Sequence, residues 1–376
     1  LLTCRAGLRP VEDVIASVRS AGLRGLGGAG FPTAQKWDFI RPEPGPRVVA
    51  INADEGEPGT FKDRHCLETD PHRVLEGTLI AAWAVGADDV FIYLRDEYSA
   101  CREILTREIG ALYAAPPCEL PRMHLRRGAG AYICGEESAL IESIEGKRGE
   151  PRLRPPFPAQ VGVFGRPTLV QNVETAYWIR TIVEDGPREW NALGREDHPG
   201  ARFFSVSGRV KKPGVYLAPN GITARELIDY AGGMLDGHEF YGYLPGGASG
   251  GILPASLGDV PLDFGSLDEY GCFIGSAAVV ILSTRDRARD VAQNLMHFFA
   301  HESCGKCTPC RVGTAKADIL MREKTWQLPV LNDLADVMTD ASICGLGQAA
   351  PNPLRSVQRF FPNELDDRID LTARRP

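Results

Sequence analysis

The chain has 376 residues, 43% of them hydrophobic and 24% charged, with a net charge of −7. That is the profile of an ordinary soluble globular chain with room for two to four compact units. The acidic balance argues against a nucleic-acid surface, and the apolar runs are only strand-sized, so no membrane span is expected. Ten cysteines without a secretory leader fit a reducing, cytoplasmic compartment. The chain opens L-L-T-C-R-A-G without Met, which leaves upstream residues open.

Val11, Val14, Ile15 and Val18 recur at helical spacing, and this helix ends near Gly22. G-L-G-G-A-G-F-P (Gly25 to Pro32) follows and formally matches G-x-G-x-x-G. A dinucleotide fingerprint needs a strand before the glycines, whereas here a helix precedes them and the strand R-V-V-A-I-N (Arg47 to Asn52) comes after. The loop still lets backbone approach a ligand, with Pro32-Thr33 opening a helix and Lys36 one turn in. The strand runs into N-A-D-E-G-E-P-G-T-F-K-D-R, placing Asn52, Asp54, Glu55 and Glu57 at a strand's carboxyl end, where open α/β sheets bind ligands. The competing reading is a solvated acidic loop.

A helix (Leu75 to Val85), a strand (Asp89 to Leu94) and a helix (Ser99 to Leu112) then indicate a mostly parallel sheet. M-H-L-R-R-G-A-G-A-Y-I-C-G-E-E-S-A-L-I reads as strand, glycine turn and a helix from about Glu136, with Glu137 favourable to the helix dipole. Residues Pro151 to Pro158 form a stiff loop presenting Phe157, and T-L-V-Q-N-V-E-T leads into one more helix. Beyond Gly200 the texture changes. Two strands surround Pro213-Gly214, a helix covers Thr223 to Tyr230, and strands cover Phe240 to Leu244 and Cys272 to Leu282. From Asp286 the pattern is helical, including Ala315 to Arg322 and Pro329 to Met338.

E-S-C-G-K-C-T-P-C-R sets Cys304, Cys307 and Cys310 two residues apart, and Cys344 follows in S-I-C-G-L-G. Three clustered thiols and one remote thiol suit a [4Fe–4S] cluster. Zinc more often takes two C-x-x-C pairs, and free thiols are the bland alternative. The other six, Cys4, Cys66, Cys101, Cys118, Cys134 and Cys272, read as ordinary buried residues.

Four motifs in order, G-L-G-G-A-G-F-P-T-x-x-K-W, N-A-D-E-G-E-P-G-T-F-K-D-R, G-A-G-A-Y-I-C-G-E-E and E-S-C-G-K-C-T-P-C-R with Cys344, resemble the NADH-binding flavoprotein subunits of complex I and of NAD-linked hydrogenases and formate dehydrogenases. R-G-A-G-A-Y-I-C-G-E-E-S-A and S-I-C-G-L-G-Q-A-A-P-N-P look most similar to the β subunit of soluble formate dehydrogenases. The resemblance implies a Rossmann-like α/β domain for FMN and NADH (1–199), a ubiquitin-like SLBB domain of β-grasp type (200–284), and a helical [4Fe–4S] domain (285–376). It implies that Gly25, Gly27, Gly28 and Lys36 line the FMN phosphate, that Asn52, Asp54 and Glu55 bind the ribityl chain and isoalloxazine edge, and that Gly135, Glu136 and Asn172 close the pocket.

Phe31, Phe39 and Phe157 resemble an adenine sandwich for NAD, against a core-packing alternative, with Glu57 and Glu137 as the catalytic-site carboxylates facing nicotinamide and ribose. The metal ligands implied are Cys304, Cys307, Cys310 and Cys344. Leu26 stands where many relatives have Arg, Gln171 replaces a frequent Asn, and a thioredoxin-like N-terminal region of longer relatives is not in this sequence. The implied activity is a diaphorase linking NAD(H), FMN and the cluster, reducing NAD+ with electrons from formate oxidised in a partner; the alternatives are the equivalent subunit of complex I or an NAD-linked hydrogenase, or a non-catalytic iron–sulfur relay scaffold. The implied partners are a molybdenum- or tungsten-containing catalytic subunit and a small [2Fe–2S] thioredoxin-like subunit.

Overall fold

The structure, a computed structural model, describes residues 1–5 and 7–365. Two compact units emerge: Leu1–Gly56 with Phe61–Phe203 and Leu217–Asn220, and Glu57–Thr60 with Phe204–Tyr216 and Gly221–Pro376. Residues 366–376 of the expected helical domain lie outside the described residues.

The first unit contains helices α1 (Leu2–Arg5), α2 (Val11–Ser20), α3 (Thr33–Ile40), α4 (Lys62–Thr69), α5 (Pro71–Val85), α6 (Ser99–Ala114), α7 (Glu137–Ile144), α8 (Val173–Asp185) and α9 (Pro187–Asn191). Strands β1 (Arg47–Ala53), β2 (Ala87–Leu94), β3 (Arg122–Arg127) and β4 (Thr168–Asn172) form an all-parallel sheet of order β3-β2-β1-β4. Val48 to Ile51 of β1 are wholly buried, as expected of a strand covered on both faces. Asp70 caps α5 by accepting from the Arg73 N–H, Pro71 opens the helix, and left-handed Gly86 ends it. Helices α5 and α8 touch at Gly77, where a Cβ would stand 1.8 Å from the Ala176 carbonyl oxygen.

A five-stranded sheet of order β6-β5-β9-β7-β8 is central to the second unit. Its strands are β5 (Ala201–Gly208), β6 (Gly214–Pro219), β7 (Phe240–Leu244), β8 (Leu253–Pro254) and β9 (Ala278–Ser283), with α10 (Ala224–Tyr230) held by a Thr223/Glu226 capping box. Strand β5 runs parallel to β9, and β7 is antiparallel to both β8 and β9. Helices α11 (Ala288–Glu302), α12 (Thr308–Met321), α13 (Leu328–Ala341), α14 (Gly345–Ala349) and α15 (Asn352–Phe360) follow. Helix α11 packs on α12 and α15, and α12 packs on α13 and α14.

The α/β domain, the small α+β domain and the helical region are the expected fold, with four local corrections. Residues 168–172 form a strand and not just a lead into α8. The predicted strand from Cys272 begins only at Ala278, because Gly275 and Ala277 adopt positive φ. Helix α12 starts at Thr308, seven residues before the predicted Ala315, with Pro309 in its first turn. Polar α4 had no predicted counterpart. Among the described residues no helix is long and apolar enough to cross a membrane. Five of the six cysteines outside the cluster motif are buried; Cys118 is half-buried.

Candidate flavin, nicotinamide and cluster sites

The carboxyl ends of β1 and β4 lie side by side, with Asn52 opposite Asn172 in register. The Asn52 Nδ2 donates to the Gly135 carbonyl at 2.8 Å, and its Oδ1 accepts from the Asp54 N–H at 3.0 Å. A Cβ on Gly135 would stand 3.2 Å from the Asp54 carbonyl oxygen, and one on Gly27 would stand 3.1 Å from the Asn172 Cβ. Segments remote in sequence therefore meet at glycines that permit the approach. Gly25 donates to the Phe31 carbonyl and accepts from Gly30, closing the loop ahead of α3, and Gly28 sits at φ 127°. Lys36, in the first turn of α3, reaches the Val170 carbonyl at 3.4 Å and Glu137 Oε2 at 3.1 Å.

Leu26 is buried, and its N–H donates to Thr175 Oγ1 at 2.9 Å. The amide of Gln171 accepts from Trp37 Nε1 at 3.2 Å. Its Nε2 and the Thr33 Oγ1 are buried with no hydrogen-bond partner among the described residues. Helix-start N–H groups, an ammonium and amide side chains fit a phosphate joined to a sugar alcohol, as in FMN. Two of the predicted ligands are also helix caps. Asn172 Oδ1 accepts from the Glu174 and Thr175 N–H groups of α8, while its Nδ2 donates to Asp63 Oδ2 at 2.6 Å. Glu136 Oε2 accepts from the Ser138 and Ala139 N–H groups of α7, and its Oε1 accepts from Arg154.

Beneath this surface lies a buried charge group that the sequence reading missed. Lys62 Nζ sits 2.8 Å from Asp63 Oδ1 and 2.9 Å from Glu174 Oε2, with Lys62 1% and Glu174 0% exposed. The Asp63 charge, then those of Glu174 and Glu55, hold the ammonium pKa above its usual value although burial opposes them. Glu55 accepts from the Asp63 and Arg64 N–H groups at 2.8 and 3.1 Å and from Tyr98 Oη at 2.9 Å. Burial first, and the Asp63 charge second, push its pKa up to about 7. Glu55 thereby holds the amino end of α4, which accounts for a helix that apolar periodicity does not reveal. Lys62 and Asp63 stood in the quoted N-A-D-E-G-E-P-G-T-F-K-D-R stretch, and that K-D pair was the available signal.

Phe31 and Phe39 are 37% and 52% exposed, with ring centroids 6.1 Å apart at 40°. Phe157 is 51% exposed, and among the described residues no ring contact joins it to the pair. Exposed rings of this size are open to a planar ligand. Glu137 lies between two cations, Lys36 at 3.1 Å and Arg154 at 3.1 Å, and the Arg154 guanidinium also reaches Glu136. Arg154 was not singled out in the sequence, where it read only as part of a stiff proline loop.

Glu57 belongs to the second unit. Its Oε1 accepts from the Ser249 N–H at 2.9 Å and the Ser249 Oγ at 2.5 Å. Burial raises its pKa, and hydrogen bonds from Ser249 and then Ser276 pull the other way. Gly247, at φ 81°, faces the carboxylate so closely that a Cβ would stand 2.7 Å from Glu57 Cδ. The run G-G-A-S-G-G (Gly246–Gly251) was the unused sequence signal for this loop.

Cys307 is the residue before α12, Cys310 lies in its first turn, and Cys344 immediately precedes α14. Cys310 and Cys344 are buried, and Cys304 and Cys307 are half-buried. A Cβ on Gly347 would stand 2.8 Å from the Cys310 Cβ, so α14 brings the Cys344 segment against the cysteine loop. Burial raises the Cys310 thiol pKa, a Ser303 hydrogen bond lowers it, and Cys307 and Cys304 raise it further. A bound iron centre reverses that penalty by stabilising thiolates, and the helix starts assist. Four soft donors fit a [4Fe–4S] cluster. Among the described residues no group of three or more His, Cys, Asp or Glu side chains is placed to hold a metal ion.

Residues 18–181 match the family model described as the Nuo51 FMN-binding domain, 203–253 the SLBB domain, and 290–368 the NADH-ubiquinone oxidoreductase-F iron–sulfur binding region. A NADH-quinone oxidoreductase F-subunit of Rhizobium meliloti, the one numbered 2, is 39% identical over 375 residues, covering 96% of this chain and 89% of that one. The corresponding F-subunit of Aquifex aeolicus is 42% identical over 373 residues, with 94% and 85% covered. A crystal structure of an H2-reduced NAD+-reducing [NiFe]-hydrogenase superposes with a TM-score of 0.89 at 40% identity, covering 96% of this chain. The present chain spans 63% of that hydrogenase chain. The matched regions agree with the expected cofactors, FMN, NAD(H) and [4Fe–4S]. The chain belongs to the family of NADH-quinone oxidoreductase F-subunits, which carry an FMN-binding domain and an iron–sulfur binding region.

Proposed function

We propose that this chain is a diaphorase subunit that passes electrons between NAD(H) and its [4Fe–4S] cluster. The observation that supports the reading most is the meeting of Gly27, Asn52, Asp54, Gly135 and Asn172 at the carboxyl edge of the parallel sheet. FMN, when bound, supplies the conversion between a hydride and single electrons. Gly25, Gly27, Gly28 and Lys36 bind its phosphate, and Asn52, Asp54 and Glu55 orient its sugar chain and ring edge. Gly135, Glu136 and Asn172 close the flavin pocket from the other side. Phe31, Phe39 and Phe157 receive the adenine of NAD, while Glu57 and Glu137 orient its nicotinamide and ribose. No acid–base triad is required, because the carboxylates position groups and move no hydride. Cys304, Cys307, Cys310 and Cys344 ligate the cluster. The division at 1–199, 200–284 and 285–376 separates flavin, SLBB and cluster functions.

We further propose a cytoplasmic formate dehydrogenase as the host, with formate oxidised in a molybdenum- or tungsten-containing partner and a [2Fe–2S] thioredoxin-like subunit alongside. The two stretches around Cys134 and Cys344 support it. The second reading is a complex I or hydrogenase host, favoured by the quinone oxidoreductase relatives and the hydrogenase structure. Purification with native partners separates them: formate-dependent NAD+ reduction by the complex, and none by the chain alone, is expected. Co-purification with quinone-reducing or [NiFe] subunits contradicts the formate host and leaves the diaphorase reading intact.

A further inference from the structure

The glycine-rich loop Gly246–Gly251 has no role in the reading above, yet it encloses one of its principal side chains. Ser249 gives Glu57 Oε1 two donors, its N–H at 2.9 Å and its hydroxyl at 2.5 Å. Ser276 adds a third hydrogen bond to the carboxylate, and itself bonds Thr60 at 2.9 Å, so both ends of the Glu57–Thr60 segment are tied down. Gly247 leaves the space that the Glu57 carboxylate occupies, and its φ of 81° suits glycine. The far side of the loop is anchored as well. The Ser249 carbonyl accepts from Asn352 Nδ2 at 2.9 Å, and the Ile252 N–H donates to Ser356 Oγ at 3.0 Å, both residues of α15. A side chain on Gly251 would collide with Cys272 Sγ at 2.6 Å and Ser356 Oγ at 2.9 Å, so this end of the loop cannot slide.

We propose that Ser249, supported by Asn352, is a positioning residue for the reaction: it fixes the rotamer of Glu57 toward nicotinamide. This rests on the reading that gives Glu57 that place. A carboxylate with two donors on one oxygen and a further hydrogen bond from Ser276 has a single orientation. The opposing influences on Glu57 are burial against the Ser249 and Ser276 hydrogen bonds. Removing the Ser249 hydroxyl therefore raises the Glu57 pKa further and frees its side chain.

The test uses the full chain loaded with FMN and cluster, and compares Glu57→Gln, Ser249→Ala, Ser249→Thr, Asn352→Ala and the double variant Glu57→Gln/Ser249→Ala. NADH:ferricyanide turnover is measured against pH, and NAD+ affinity is measured by calorimetry. Ser249→Ala is expected to lower kcat/KM about tenfold, the scale of losing one hydrogen bond to a charged group. It should weaken NAD+ binding, shift the acidic limb of the profile upward, and recover in Ser249→Thr. Asn352→Ala should do the same more weakly. The double variant should be no worse than Glu57→Gln alone. If Glu57→Gln lowers activity and affinity while Ser249→Ala leaves both, and the acidic limb, unchanged, the positioning role is overturned. If Glu57→Gln itself changes nothing, the placement of Glu57 at nicotinamide fails instead, and the positioning role falls with it. Additive losses in the double variant also overturn the proposal.

Discussion

The sheet end of the first unit and the cysteine segments of the second, the two sites proposed to hold redox groups, are built by opposite electrostatic means. At the sheet end the charges are paired: Lys62 lies between Asp63 and Glu174, and Glu55 is displaced toward neutrality. That ion-paired group holds together without a ligand, and the unpartnered Gln171 Nε2 and Thr33 Oγ1 lie in the same unit. At the cysteine segments the structure places Cys310 where burial, with Cys307 and Cys304 nearby, disfavours its ionised form. That arrangement becomes favourable when iron supplies positive charge. One site is built before its cofactor, and the other is stabilised by it.

The contrast predicts unequal consequences of removing one member. Cys344→Ala should abolish the cubane signal in EPR and most of the iron, while FMN stays near one per chain, because the paired charges of the first unit need no iron. Retention of an unchanged cubane in this variant would transfer the fourth ligand elsewhere, with buried Cys272 the next candidate. Lys62→Met should leave Asp63 and Glu174 buried without their cation, at a cost of about 3–5 kcal/mol. Urea unfolding of the FMN-loaded chain measures it, and a loss below about 1 kcal/mol would mean that the carboxylates neutralise themselves.

A smaller effect is expected at Glu137. Its carboxylate is held by Lys36 and Arg154, so Glu137→Gln removes a like charge and releases two cations toward a 2′-phosphate. The NADH/NADPH ratio of kcat/KM should narrow by about tenfold, the scale of roughly one lost charge pair. An unchanged ratio would place discrimination elsewhere. The smallest effect concerns pH. Glu55 has a folded pKa of about 7, above its ordinary value of 4.5, so the native state binds more protons between those limits and stability declines as pH rises through them. Glu55→Gln should flatten that decline, seen as a smaller fall in Tm between about pH 5 and 8 in apo protein. An equal fall in both proteins would assign the pH dependence to other groups.

Legibility in the sequence followed the same division. The cysteine motif is local, so spacing alone suggested the cluster ligands, although the start of α12 inside the motif was read seven residues late. The proposed flavin residues are scattered along the first unit, and only resemblance to a family gathered Gly27, Asn52, Gly135 and Asn172 before the structure did. Short β4 was hidden because five residues carry little periodicity, and α4 because a remote Glu55, not an apolar stripe, secures it. Arg154 and Ser249 stayed silent for a related reason: their partners lie 18 and 192 residues away.

The most direct test of the account is an anaerobic titration of the purified, fully loaded chain with NADH, following flavin absorbance and cluster EPR together. The account predicts that NADH bleaches the flavin and that the cluster signal of a [4Fe–4S]+ centre grows when its potential permits, with ferricyanide or a viologen dye sustaining turnover in the absence of any partner. A preparation with one FMN and four irons per chain whose flavin NADH does not reduce, and which turns over no dye, would contradict it.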